Sequence, residues 1–138
     1  PGHSRESLCF YYREEKILFT GDAIPDPSDA LIYENSHASE ATLRRLEGLE
    51  EVDLYCPAWD KVYDRRTGMH MIHGGRSRIS KIRECTEAYR GRMQEESPQK
   101  LFESICEESS MAEYKKNPMF MRSVISDLSR LNQENHRD

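Results

Sequence analysis

Along this chain the spacing of apolar residues changes from a strand period to a helical one and back before settling on the helical one. Ser7–Tyr12 (SLCFYY) and Lys16–Thr20 (KILFT) are short apolar runs rich in aromatic residues, which is strand composition. The polar Arg13-Glu14-Glu15 between them predicts a hairpin turn. From Glu34 to Leu49 the period lengthens: Leu43, Leu46 and Leu49 are three apart, which predicts a helix with Ser39 as its cap. Val52–Ala58 (VDLYCPA) reads as a third strand stopped by Pro57, and the polar, glycine-ended stretch Asp60–Gly75 reads as a loop.

Beyond that loop the helical period persists. Ser77–Met93 carries Ile79, Ile82, Tyr89 and Met93 on one face. Ser97-Pro98 and Asn117-Pro118 each join a capping side chain to a proline at the first helical position. They open helices carrying Leu101, Phe102 and Ile105, then Met121, Val124, Ile125, Leu128 and Leu131. The tail from Asn132 is expected to fray. Strands first and helices last make an α+β order, with residues 1–93 as one unit and 94–138 as a helical extension packed on it.

Composition narrows the picture. The 138 residues suit one modest core, and 33% of them are charged. A net charge of −5 argues against a nucleic-acid footprint, and the basic run Arg76, Arg78, Lys81 and Arg83 reads as a solvated helix face. The four cysteines, Cys9, Cys56, Cys85 and Cys106, form no C-x-x-C pair and lie in apolar stretches, so buried reduced thiols are expected, as in a cytoplasmic protein. No apolar run is long enough to span a bilayer and no signal peptide is visible, so no membrane partner is expected. The first residue is Pro1 rather than Met, which leaves open that the chain is a fragment.

Two stretches could carry chemistry: Pro1-Gly2-His3-Ser4, and Gly21-Asp22-Ala23 after the second strand. Imidazole and carboxylate both bind zinc, manganese or iron directly, and glycines beside them let backbone approach closely. Taken singly, a histidine in a turn or Gly-Asp after a strand is more often plain turn chemistry. Together, P-G-H-S, an apolar strand, a charged turn and then I-L-F-T-G-D-A make a joint pattern.

That pattern resembles the second half of a metallo-β-lactamase-fold hydrolase, the superfamily of glyoxalase II and the lactonases. There "T-P-G-H-S-x-G-S" precedes a strand and "L-F-T-G-D" supplies an aspartate; the likeness runs from Pro1 to about Met93. It implies the C-terminal half of an αββα sandwich. It also implies His3 as a ligand of a first metal, with Asp22 as the catalytic carboxylate bridging two. The cofactor would be divalent, zinc by first expectation with manganese or iron as alternatives, and the partner a small-molecule ester, thioester, lactone or similar substrate. The helices from Ser77 onward would shape substrate choice. Tyr33, Asn35 and His37 would border the pocket as substrate contacts.

Two departures weigh against a complete site. The family's H-x-H-x-D-H run has no match among His3, His37, His70, His73 and His136. After the third strand, Trp59 stands where a last histidine is expected, and an indole offers only a donor; His70 or His73 could reach in from the following loop. A catalytic zinc uses three protein ligands, so this chain by itself is expected to be inactive unless a first half completes it. The alternative is a non-catalytic half-fold serving as a dimerisation or interaction module. In either case an uncovered sheet edge and face are expected to drive homo-oligomerisation.

Overall fold

The structure is a computed structural model that describes residues 1–134. It is α+β: a small mixed sheet and four α-helices. Strand β1 (Phe10–Tyr12) pairs antiparallel with β2 (Ile17–Gly21), as the charged turn predicts, although β1 is shorter than its apolar run and β2 is shifted by one residue. Helix α1 (Ser36–Glu47) carries the chain over to β3 (Leu54–Pro57), which pairs parallel with β2. A two-residue β4 (Tyr63–Asp64) then closes the order β1-β2-β3-β4.

The cap of α1 is Asn35, not Ser39: the Asn35 side chain accepts from the Ala38 backbone N–H at 2.9 Å. Ser39 lies one turn inside the helix, where it is 5% exposed against the Gly2 backbone. The larger correction concerns Asp60–Gly75. Most of that stretch is not loop, because α2 runs from Arg65 to Tyr89. Asp64 caps it by accepting from Thr67 N–H at 2.8 Å. Gly68 and Gly75 in it are packing residues: a Cβ on Gly68 would lie 2.3 Å from the Tyr55 ring, and one on Gly75 would lie 2.8 Å from Pro25. Helix α3 (Pro98–Glu108) and α4 (Pro118–Glu134) start at the caps read from sequence, Ser97 and Asn117. Helix α4 continues through Glu134, so the tail expected to fray from Asn132 is helical for its first three residues; residues 135–138, with His136, lie outside the described residues.

The two faces of the sheet differ. Tyr11, Leu18 and Tyr55 stand in register and point toward the helices; Leu18 is 1% exposed and Tyr55 fully buried. One core continues from there through Leu43, Ile72, Ile79 and Ile82 to Phe102, Phe120, Val124 and Leu128. The opposite face carries Phe10, Phe19 and Leu54, which are 64%, 46% and 38% exposed, with Leu8 at 68% and Tyr12 at 50%. Among the described residues no helix is long and apolar enough to cross a membrane.

Salt bridges and carbonyls occupy the basic run on α2. Arg76 pairs with Glu47, Arg78 donates to the Asp26 and Asp29 carbonyls, Lys81 meets the Ser110 hydroxyl, and Arg83 reaches Glu40 and Glu87. All four cysteines are free, but only Cys106 is buried; Cys9, Cys56 and Cys85 are half-buried, contrary to the expectation of four buried thiols. Burial pushes the Cys106 thiol up to about 12.

Candidate functional site

Backbone geometry fixes the His3 loop. Gly2 takes φ +127°, a conformation open to glycine, and a Cβ there would lie 2.4 Å from the Ser39 nitrogen. The Gly2 carbonyl accepts from Glu34 N–H at 2.9 Å and Asn35 N–H at 3.2 Å, and Thr42 Oγ1 donates to the Pro1 carbonyl at 2.7 Å. The Pro-Gly turn is therefore bound to the N-terminal end of α1, and His3 projects from it.

The His3 ring is held as well. Its Nδ1 lies 3.0 Å from the Ile32 carbonyl oxygen. A carbonyl only accepts, so Nδ1 carries the proton, and in the neutral ring Nε2 keeps its lone pair. That is how a metal-binding imidazole is usually oriented, with one nitrogen tied to a carbonyl and the other free. At the end of β2, Gly21 adopts φ +55°, its carbonyl accepts from Ala58 N–H at 3.0 Å, and the chain turns Asp22 toward His3. The His3 Nε2 and Asp22 Oδ2 atoms are 3.9 Å apart, with the two side chains 32% and 51% exposed. Zinc bonds of about 2.0–2.1 Å set tetrahedral donors roughly 3.4 Å apart, so the pair has to close by about half an ångström to share such a cation.

The pair faces a small cavity of about 150 Å³ whose wall includes Trp59, Ile24 and the carboxylate-bearing Asp26 and Asp29. Trp59 thus stands beside the pair, but its Nε1–H is directed to the Ile24 carbonyl at 3.0 Å. Asp26 accepts from Ser28 N–H and hydroxyl, and Asp29 from Ala30 N–H, so both carboxylates serve their own loop. Among the described residues no group of three His, Cys, Asp or Glu side chains is placed to hold a metal. His3 and Asp22 fit two positions of a donor set, and the described residues do not complete it. His70 and His73 lie on exposed positions of α2, in helix rather than loop, and His73 Nε2 is 2.8 Å from Glu47.

The other sequence candidates separate. Tyr33 joins His3 in lining a second cavity of about 520 Å³, yet the residue is 3% exposed. Burial, then the Asp127 carboxylate, push its phenol well above the usual tyrosine range. Asn35 is the α1 cap, near Pro1 and Gly2. His37 lies on the α1–α2 surface, 3.7 Å from Glu87. Sequence reading missed the α4 residues that form the far wall of the larger cavity: Met119, Arg122, Ser123 and Ser126. Their spacing marks one side of a helix, but nothing local says which loop that side meets.

No family model matches the chain. A curated relative, the acyl-coenzyme A thioesterase MBLAC2 of Gallus gallus, is 47% identical to it over 55 residues. The match covers 38% of this chain and 19% of that protein, so the chain spans a small part of the length of the relative it resembles.

Proposed function

We propose that this chain is one layer of a metal-dependent hydrolase of the metallo-β-lactamase kind, acting on a thioester or related acyl bond. The observation carrying this reading is the His3–Asp22 pair, 3.9 Å apart with His3 Nδ1 tied to the Ile32 carbonyl so that Nε2 is left free. The likeness to an acyl-coenzyme A thioesterase supports the hydrolase class and favours thioesters among acyl substrates.

His3 and Asp22 would hold a divalent metal, zinc by preference, together with donors from a second β layer seated on the uncovered sheet face. Once bound there, the metal would supply an activated water and a polarised carbonyl. The chain's own contribution is positional. Ile32 fixes the imidazole tautomer, Gly2 and Gly21 set the two side chains at one rim, and Trp59 closes one wall against the Ile24 carbonyl. The same reading implies a small-molecule substrate and a cytoplasmic setting.

The test is zinc binding followed on protein purified without chelator, beside His3→Ala and Asp22→Ala. With two donors the chain should bind zinc weakly, and each variant should lose the same binding event. Zinc binding unchanged in both variants, or acyl-thioester hydrolysis that survives either, sinks the reading. The second reading, a non-catalytic interaction module, is favoured by Trp59 standing at the pocket wall and by the apolar sheet face. It predicts no zinc binding dependent on His3 or Asp22, together with self-association.

A further inference from the structure

His3 and Ile32 line both cavities, so the larger one, whose far wall is α4, lies on the other side of the imidazole from the small space beside Asp22. That larger space has an apolar side, formed by Ile32 and by Met119, which is 48% exposed. Its polar side carries Arg122 and the Ser126 hydroxyl, whose contact with the Glu34 carbonyl is long at 3.5 Å. Arg122 has no ion pair or hydrogen bond to the other described residues. Arg44, Arg76, Arg83, Arg92 and Arg130, by contrast, are each paired with a carboxylate. Glu34 also borders the cavity, but its Oε2 accepts from Arg5 N–H at 2.8 Å. The Ser123 hydroxyl is occupied at both ends, by Tyr33 N–H and the Met119 carbonyl.

We infer that this cavity is a substrate subsite for an anionic group, with Arg122 as the cation that reads it and the Met119–Ile32 wall taking the apolar part. The inference rests on the hydrolase reading for the word substrate, but the binding site stands on its own geometry. A guanidinium is a planar fork matched to a carboxylate or phosphate. In a chain of net charge −5, an anionic ligand needs such a local cation to bind beside a histidine–aspartate pair. The class of substrate is therefore an acyl ester or thioester bearing a carboxylate or phosphate one cavity's length from the cleaved carbonyl. Glu34 opposes it, so the subsite is tuned to hold its anion weakly and release it.

The experiment is a titration of the metal-free chain with succinate, inorganic phosphate and neutral succinamide, followed by amide and arginine side-chain NMR shifts. Succinate or phosphate should move Arg122, Ser126 and His3 signals in a saturable, salt-sensitive way, while succinamide should not. Which of the two anions binds more tightly identifies carboxylate or phosphate as the recognised group. Arg122→Ala should weaken binding about tenfold, Arg122→Lys should restore part of it, and Glu34→Gln should tighten it. Shifts that map elsewhere, or an unchanged affinity in Arg122→Ala, overturn the subsite. On thioesters, and with the second β layer present to complete the metal site, Arg122→Ala should cut kcat/KM for an anionic substrate about tenfold and remove its advantage over the neutral isostere. Hydrolysis without that preference defeats the subsite and leaves the hydrolase reading standing. With that second layer present, no hydrolysis of any thioester defeats the reading, while the anion titration of the chain by itself still decides the subsite.

Discussion

Gly2 is the residue on which the His3 geometry depends most. Any side chain there meets two penalties: a φ of +127° and a Cβ within 2.4 Å of the Ser39 backbone nitrogen, which cannot swing aside as a side chain can. Gly2→Ala should therefore lower stability by about 2–3 kcal/mol, or detach the Pro1–Ser4 turn from α1 and weaken zinc binding at His3. A variant that matches the parent in urea midpoint and in zinc affinity would contradict this account. The convergence of His3 and Asp22 was legible in sequence because each sits in a short motif next to a strand or helix end. The partners that give the pair its surroundings were not. Tyr33 and Ser123 hydrogen-bond across 90 residues, and only the folded chain brings α4 against the His3 loop.

At the scale of elements, α2 explains why glycine misled the sequence reading. Glycine marks a turn when φ must be positive, but within a helix it can serve close packing instead, and the sequence does not distinguish the two. Gly68 and Gly74 make the contrast within one helix. A Cβ on Gly68 would lie 2.3 Å from the Tyr55 ring, whereas one on Gly74 meets nothing within 4 Å. Gly68→Ala should cost about 1–3 kcal/mol by overpacking, and Gly74→Ala should gain about 0.5–1 kcal/mol from helix propensity. Denaturant unfolding of both variants checks the signs, and equal effects would mean that packing against Tyr55 does not place α2. The start of the same helix carries a pH dependence. The backbone N–H and hydroxyl of Thr67 hold the Asp64 carboxyl below the usual carboxylate range. Its folded pKa is thus below its unfolded one, so the unfolded chain takes up the proton first as pH falls. The cap's charge stabilises the fold above about pH 4 and ceases to do so as pH drops through the folded value. Asp64→Asn keeps a capping oxygen without the charge. The urea-midpoint gap between parent and Asp64→Asn should be constant near neutrality and shrink below about pH 4. A gap that does not change with pH would assign the cap to geometry alone.

At the scale of the molecule, the governing fact is that, among the described residues, helices cover one sheet face and leave the other bare. Leu8, Phe10, Tyr12, Phe19 and Leu54 are each at least 38% exposed, and the register places Phe10 beside Phe19 and Leu54 beside Ile17. With aromatic side chains offering about 150–250 Å² each, the patch amounts to roughly 400–500 Å² of apolar surface. That is near the upper end of what a soluble monomer exposes. A second β layer is the natural cover, since sheets pack face to face through their apolar sides. For the chain by itself, the available cover is a second copy. The face is apolar at its centre and bordered by the open edge of β1, so two copies can meet through like apolar surfaces. Two copies would bury about 900 Å² in all, at the low end for a specific interface, which predicts a dimer that dissociates in the micromolar range. Sedimentation velocity across a concentration series should show monomer giving way to dimer. The double variant Phe10→Lys/Phe19→Lys should remain monomeric with unchanged helical circular dichroism, and Met119→Lys, on α4, should associate like the parent. A parent that stays monomeric at high concentration would mean that the apolar face is tolerated in water, and the case for a second layer completing the His3–Asp22 site would fall with it.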